Sequence, residues 1–150
     1  MSTNSVTLHR VLATNPEKVF RAFTDANAMA AWLPPYGFLG KVHHMDFKVG
    51  GSYKMSFINF TTGSSHSFGG EYLDIQPNAL LKYTDRFDNP DLPGEMITTI
   101  TFKAVICGTE IHATQEGIPS VIPAEMCYLG WQESLDKLKR LVEPNIPDAG

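Results

Sequence analysis

The stretch that decides the fold is PAEMCYLGWQESLDKLKRLV, residues 123–142. Ala124, Cys127, Tyr128, Trp131, Leu135, Leu138 and Val142, with Leu141 beside them, recur in steps of three and four and so fall on one face of a helix. Gln132, Glu133, Asp136, Lys137, Lys139 and Arg140 fall on the other face, which water can cover. Glu133 with Lys137, and Asp136 with Arg140, are i,i+4 pairs in the favourable acid-first order. Pro123 suits the first turn, where its missing N–H would be unpaired anyway. Pro144 restricts Glu143 and ends the helix. A helix of about 20 residues runs roughly 30 Å, enough to cross a small domain. It needs a broad apolar surface to lie on.

The preceding chain supplies that surface as strands. Residues 6–13 alternate imperfectly and read as the first strand. Asn15-Pro16-Glu17 is a helix start: an N-cap, a proline at the first helical position and an acid in the first turn. Val19, Phe20 and Phe23 mark the buried face of that short helix. Thr24 or Asp25 caps a second one, with Met29, Trp32 and Leu33 buried and Pro34-Pro35 as its end. From Lys41 the period changes to two. Strands are expected at residues 42–47, 52–60, 66–75, 80–87, 95–106 and 109–116, separated by short turns rich in Gly, Pro, Asn and Asp. Gly69-Gly70 predicts a bulge or sharp bend inside one of them. Short turns force antiparallel pairing. A twisted antiparallel sheet curls, so the expected architecture is α+β: a curved sheet of about seven strands wrapped around the last helix, with two short helices after the first strand.

Length and composition set limits. The chain has 150 residues and 43% hydrophobic side chains, which suits one domain, residues 1–150, with residues 144–150 as a loose tail. Net charge is −4 with no block of like charges, which argues against nucleic acid or an anionic membrane as partner. No basic stretch followed by an apolar run opens the chain, and no run reaches spanning length. Two cysteines, Cys107 and Cys127, are too few for a disulfide framework or a cysteine-built metal site. Both sit in apolar settings, so a cytoplasmic protein with reduced, buried thiols is expected.

Several stretches resemble the single-domain relatives of the activator of the heat-shock-protein-90 ATPase. They are Val19-Phe20-Arg21-Ala22-Phe23-Thr24-Asp25 with Trp32, Asp46-Phe47-Lys48-Val49-Gly50-Gly51, and residues 70–77 followed by Leu80-Leu81-Lys82-Tyr83-Thr84. To these add Gly108-Thr109, Gln115-Glu116-Gly117, and Gly130-Trp131 with Leu135, Leu138 and Leu141. The family lies in the superfamily of START-type, polyketide-cyclase and birch-pollen-allergen proteins. The resemblance covers nearly the whole chain and implies the helix-grip (START-like) fold. It implies no catalytic residue and no cofactor, because one fold hosts many activities.

A helix gripped by a curved sheet leaves room between the two. Trp32, Phe57, Phe68, Tyr72, Tyr83 and Phe102 are candidate wall rings, with Cys127 and Trp131 on the helix side. The alternative is that the rings fill the space themselves. Gln115 and Thr98, on inner strand faces, offer hydrogen bonds. Asp85 shares a strand face with Leu81 and Tyr83. Pointing inward it would have a raised pKa and suit proton transfer. Near a strand end it would instead be solvated or paired with Arg86. Cys127 reads as a small buried hydrophobe. His43-His44 point to opposite faces of a strand and cannot share a metal; His9 stands alone, His66 lies near a turn, and His112 is on a polar face. No metal site and no acid–base pair emerge.

The leading expectation is therefore a binding protein, monomer or homodimer, for a small hydrophobic or amphipathic ligand. A cyclase- or dehydratase-like enzyme using the same cavity is the alternative. Chaperone regulation, implied by the family name, ranks third. The activator proper carries an additional N-terminal domain, whereas this chain begins at the first strand, and no stimulation of a chaperone ATPase is expected.

Overall fold

The computed structural model describes residues 3–148. Met1, Ser2 and the last two residues of the expected tail, Ala149 and Gly150, lie outside the described residues. Strand β1 (Thr3–Leu12) leads to helix α1 (Pro16–Thr24). Asn15 caps α1 by accepting the Lys18 N–H at 2.9 Å. Asp25, rather than Thr24, caps α2 (Ala26–Trp32) by accepting the Ala28 N–H at 3.0 Å. The Thr24 hydroxyl turns back and donates to the Arg21 carbonyl at 3.0 Å.

Six strands follow: β2 (Phe38–Met45), β3 (Ser52–Asn59), β4 (Ser65–Gln76), β5 (Leu80–Phe87), β6 (Met96–Val105) and β7 (Gly108–Pro119). Helix α3 (Ala124–Val142) closes the chain. The seven strands form one antiparallel sheet in the order β1-β7-β6-β5-β4-β3-β2. β2 to β7 form a meander, and β1 adds itself to β7, with Thr3 opposite Pro119 and Leu12 opposite Thr109. The first two strands are thus the two edges, and α1 and α2 carry the chain from one edge to the other.

The interior has two unlike halves. Val6, Leu8 and Leu12 of β1 join Ile100, Ile111, Ala113 and Ile118 of β6 and β7, and Leu135, Leu138 and Val142 of α3 lie in the same core. This half is solid. Toward β2–β5 the first half of α3 presents smaller side chains, and the interior opens there.

The helix departs from its expected face at several points. Trp131, Leu135, Leu138 and Val142 are buried, and so is Ser134. Tyr128 and Leu141 are 40% and 43% exposed, because the stripe that meets the sheet is narrower than the apolar stripe in the sequence. Asp136 and Arg140 pair at 3.1 Å, but Glu133 and Lys137 do not. Glu133 accepts the Tyr36 N–H at 3.1 Å, Lys137 donates to the Pro34 carbonyl at 2.8 Å, and Ser134 donates to the Leu33 carbonyl at 2.5 Å. These groups bind the turn after α2 onto α3, where the unpaired carbonyls following a helix need donors.

Gly69-Gly70 does not shift the register of β4. The frame set by Gly69↔Arg86 and Tyr72↔Tyr83 is continuous, and the shift falls between Tyr72 and Asp74. Glycine serves another purpose here: a Cβ on Gly70 would lie 2.0 Å from the Thr84 carbonyl oxygen. Cys107 is exposed, contrary to the burial expected of it, because it sits in the β6–β7 turn beside an exposed Ile106. Residues 144–148 are exposed coil, and the Pro144 carbonyl accepts from Lys18 Nζ at 2.7 Å.

Candidate ligand cavity

Between β2–β5 and the first half of α3 lies a cavity of about 170 Å³. Met55 and Phe57 of β3, Phe68 and Tyr72 of β4, and Leu81, Tyr83 and Phe87 of β5 form its floor. Met29, Leu33 and Pro35 cover one side, and Cys127, Gly130, Trp131 and Ser134 of α3 form the roof. The reason for the space is legible in the roof. Cys127, Gly130 and Ser134 recur at helical spacing on the inner face and are small, whereas Leu135, Leu138 and Val142, toward the end of the helix, are large and buried in the core.

Of the side chains expected at such a site, Phe57, Phe68, Tyr72, Tyr83, Asp85, Gln115, Cys127 and Trp131 line the cavity. Trp32 and Phe102 do not, and their assignment as cavity wall is corrected. Trp32 is sealed between the two short helices, stacked edge-on to Phe23 at 4.8 Å, with its indole N–H bonded to the Ala22 carbonyl at 2.9 Å. Phe102 belongs to the solid half, edge-on to Phe20 at 5.3 Å and Phe23 at 5.4 Å. Thr98 is fully buried and does not reach the space. Tyr53, Gly130 and Ser134 also line the cavity, though none is among the site residues expected from the sequence. The signal for the last two was the small side chains on the inner helix face; for Tyr53 it was strict alternation with Met55 and Phe57.

Phe57 and Phe68 meet edge-on at 4.7 Å. Deeper along the floor, Tyr53, Tyr72 and Tyr83 form a triangle with ring centroids 5.6, 5.7 and 6.3 Å apart. Tyr53 faces Gly70 across the β3–β4 ladder. Because Gly70 has no side chain, the Tyr53 hydroxyl reaches past β4 and donates to the Thr84 carbonyl on β5 at 3.0 Å. Thr84 Oγ1 in turn accepts the Glu71 N–H at 2.9 Å. From α3, Trp131 donates its indole N–H to Gln115 Oε1 at 3.1 Å.

Asp85 points inward at the end of this tyrosine cluster. Arg86 does not pair with it; that guanidinium lies 3.6 Å from Glu95 instead. The Asp85 residue keeps some exposed surface, but Oδ1 is shut off from solvent and has no hydrogen-bond partner. Burial pushes the carboxyl up to about 7, against the smaller opposing effects of the Tyr53 hydroxyl and the Arg86 backbone N–H. Burial, and then the nearby Asp85 charge, push the Tyr53 and Tyr83 phenols well above their ordinary value. Burial also raises the Cys127 thiol, which suits a packing role over a nucleophilic one.

The histidines lie elsewhere. His43 contacts Ser56 Oγ at 2.7 Å and His44 contacts Ser52 Oγ at 2.9 Å, each separately. His9 is not alone: pairing of β1 with β7 sets it opposite His112, and Glu110 lies 3.0 Å from His9 and 3.5 Å from His112. These three groups converge on the outer face of the sheet, away from the cavity. The two imidazoles hold the Glu110 carboxyl below its usual range, His9 most strongly.

A curved antiparallel sheet gripping a long last helix around an apolar hollow defines the START-like, helix-grip class of protein. The sequence profile of the family described as Activator of Hsp90 ATPase homolog 1-like protein matches residues 13–143, and the chain belongs to that family. A crystal structure of a protein from Chromobacterium violaceum is 55% identical, covers 95% of this chain and 99% of its own, and superposes with a TM-score of 0.93. A Rhodobacter sphaeroides protein at 20% identity (93% and 92% covered, TM-score 0.79) and a Nitrosomonas europaea protein at 21% (92% and 93% covered, TM-score 0.77) share the fold. No protein of curated function matches the chain. Among the described residues, no helix is long and apolar enough to cross a membrane.

Proposed function

We propose that this protein binds a small hydrophobic or amphipathic molecule in the cavity between the sheet and α3. The observation that carries the reading is the cavity of about 170 Å³, walled almost entirely by apolar and aromatic side chains and holding few polar groups. Its size is close to that of an engineered apolar cavity of roughly 150 Å³ that takes up benzene. A ring-sized guest fits. Phe57, Phe68, Tyr72, Tyr83, Cys127 and Trp131 would contact its apolar body, and Asp85 and Gln115 its polar part. Two free thiols suit a reducing, cytoplasmic setting. Titration with a neutral aromatic such as toluene, followed by backbone amide shifts, tests the proposal. Shifts gathered on β3–β5 and the start of α3 support it; no shifts at saturating toluene would sink it. Native mass spectrometry of freshly purified protein would show whether a natural guest travels with it.

A second reading rests on Asp85 alone. A carboxyl that titrates near 7 inside a desolvated space can give or take a proton at working pH. A cyclase- or dehydratase-like activity would then be abolished in Asp85→Asn and weakened in Tyr83→Phe while both variants stay folded. Turnover that survives Asp85→Asn rules this reading out.

A further inference from the structure

We propose that the preferred guest is an organic cation: a ring-sized apolar body bearing one protonated amine, seated against Asp85 among Tyr53, Tyr72 and Tyr83. The inference rests on the binding function proposed above and deepens it. Among the described residues, Asp85 is the one side chain of ordinary charge that lines the cavity; no Lys, Arg or His does. Its Oδ1 is buried and unpartnered. The groups around it leave that oxygen unsatisfied. The Tyr53 hydroxyl is shared between the Thr84 carbonyl, 3.0 Å away, and the Asp85 carboxyl, and it brings no positive charge. The Arg86 guanidinium turns to Glu95. The end of the cavity therefore presents a carboxyl with one buried oxygen unsatisfied and no cation beside it.

An ammonium supplies what is missing. It brings donors to Oδ1 and a charge opposite to the one the site carries when ionised. The three tyrosine rings, within 6.3 Å of one another, offer π-faces that attract a desolvated cation. An anionic guest such as a carboxylate would meet the reverse: two like charges in a space with no cation to separate them. A neutral hydroxyl could donate one bond but gains no charge.

Three molecules of one size separate these cases: 2-phenylethylamine, 2-phenylethanol and phenylacetate, titrated calorimetrically at pH 7.5 against the wild-type protein and Asp85→Asn. The amine is expected to bind about tenfold or more tighter than the alcohol, as a charge-assisted bond to a buried carboxylate should give, with phenylacetate weakest. In Asp85→Asn the amine's advantage is expected to vanish. Equal or tighter binding of the alcohol by the wild-type protein overturns the inference, and that comparison holds whether or not the variant folds. An amine preference that persists in folded Asp85→Asn overturns it as well. If the alcohol binds and the amine gains nothing, the charge inference falls while the cavity reading stands. If none of the three binds and toluene does not either, both fall.

Discussion

Trp131 and Gln115 join α3 to β7 through one hydrogen bond, indole N–H to amide oxygen, 3.1 Å long. The bond lies at the cavity wall, so the same contact that docks the helix also shapes the site. Trp131→Phe keeps most of the ring's bulk and removes the donor. It is expected to cost about 1–2 kcal/mol in urea unfolding, the price of a half-buried amide oxygen left without its partner. The two tryptophans also separate by optical response. Entry of a guest should alter fluorescence in Trp32→Phe, which retains Trp131 at the wall, and leave it unchanged in Trp131→Phe, whose remaining indole is sealed against Phe23. The reverse pattern would place the guest elsewhere.

Asp85 makes stability depend on pH in an unusual direction. Its folded-state pKa of about 7 lies above the 3.8 of a free aspartate, so the folded protein holds a proton that the unfolded chain has released. Below about pH 4 both states are protonated and no penalty exists; as pH rises toward 7 the unfolded state is progressively favoured. Folding is thus weakened by a few kcal/mol at neutral pH relative to a neutral side chain at that position. Asp85→Asn should melt at a higher temperature than wild type at pH 8, with the gap closing as pH is lowered to 4. A gap that is constant with pH would mean that Asp85 titrates as a solvated carboxyl.

Much of this architecture was legible in the sequence, and for identifiable reasons. The helix caps at Asn15 and Asp25 are local chemistry, and β5 and α3 have nearly the bounds that their periods set. The edges of the other strands shifted by a few residues, because pairing with a neighbour decides where a strand stops. At the site, alternation put Phe57 and Tyr83 on inner faces, whereas the face of the strand bearing Phe68 and Tyr72 stayed open because a bulge at Gly69-Gly70 would reset it; the shift in fact falls after Tyr72. Alternation could not tell a ring that lines a void from one that fills the core, which is why Phe102 and Trp32 were misassigned. That distinction depends on the opposite wall, where Gly130 and Ser134 make the room. The His9–Glu110–His112 cluster was illegible for another reason: it is made by the pairing of β1 with β7, which lie a hundred residues apart.

Gly70→Ala tests the passage that lets Tyr53 reach β5. The added methyl would stand 2.0 Å from the Thr84 carbonyl oxygen and 2.8 Å from its hydroxyl, and backbone must move to admit it. A loss of about 1–3 kcal/mol in chemical denaturation is expected, as for overpacking a close-packed site. Weaker binding of guests that depend on Asp85 should accompany it. A neutral outcome would show that β4 and β5 can part at no cost.

Gly130→Ala should act in the opposite sense. The new methyl would meet only Pro35 Cγ at 4.0 Å, an ordinary contact. Alanine in a helix interior is favoured over glycine by about 1 kcal/mol, so the melting temperature should rise. The cavity roof gains a methyl group, so affinity for a ring-sized guest should fall in the same variant. Higher stability with unchanged binding would remove Gly130 from the site.

The pairing of the first strand with the seventh has a consequence for synthesis. Until β7 has been made, β1 has no partner, and the meander from β2 grows with an unpaired border. The greasy underside of that meander is bare until α3 arrives. Until α3 docks, that surface is open to other chains, as exposed apolar strands are in any partly folded protein.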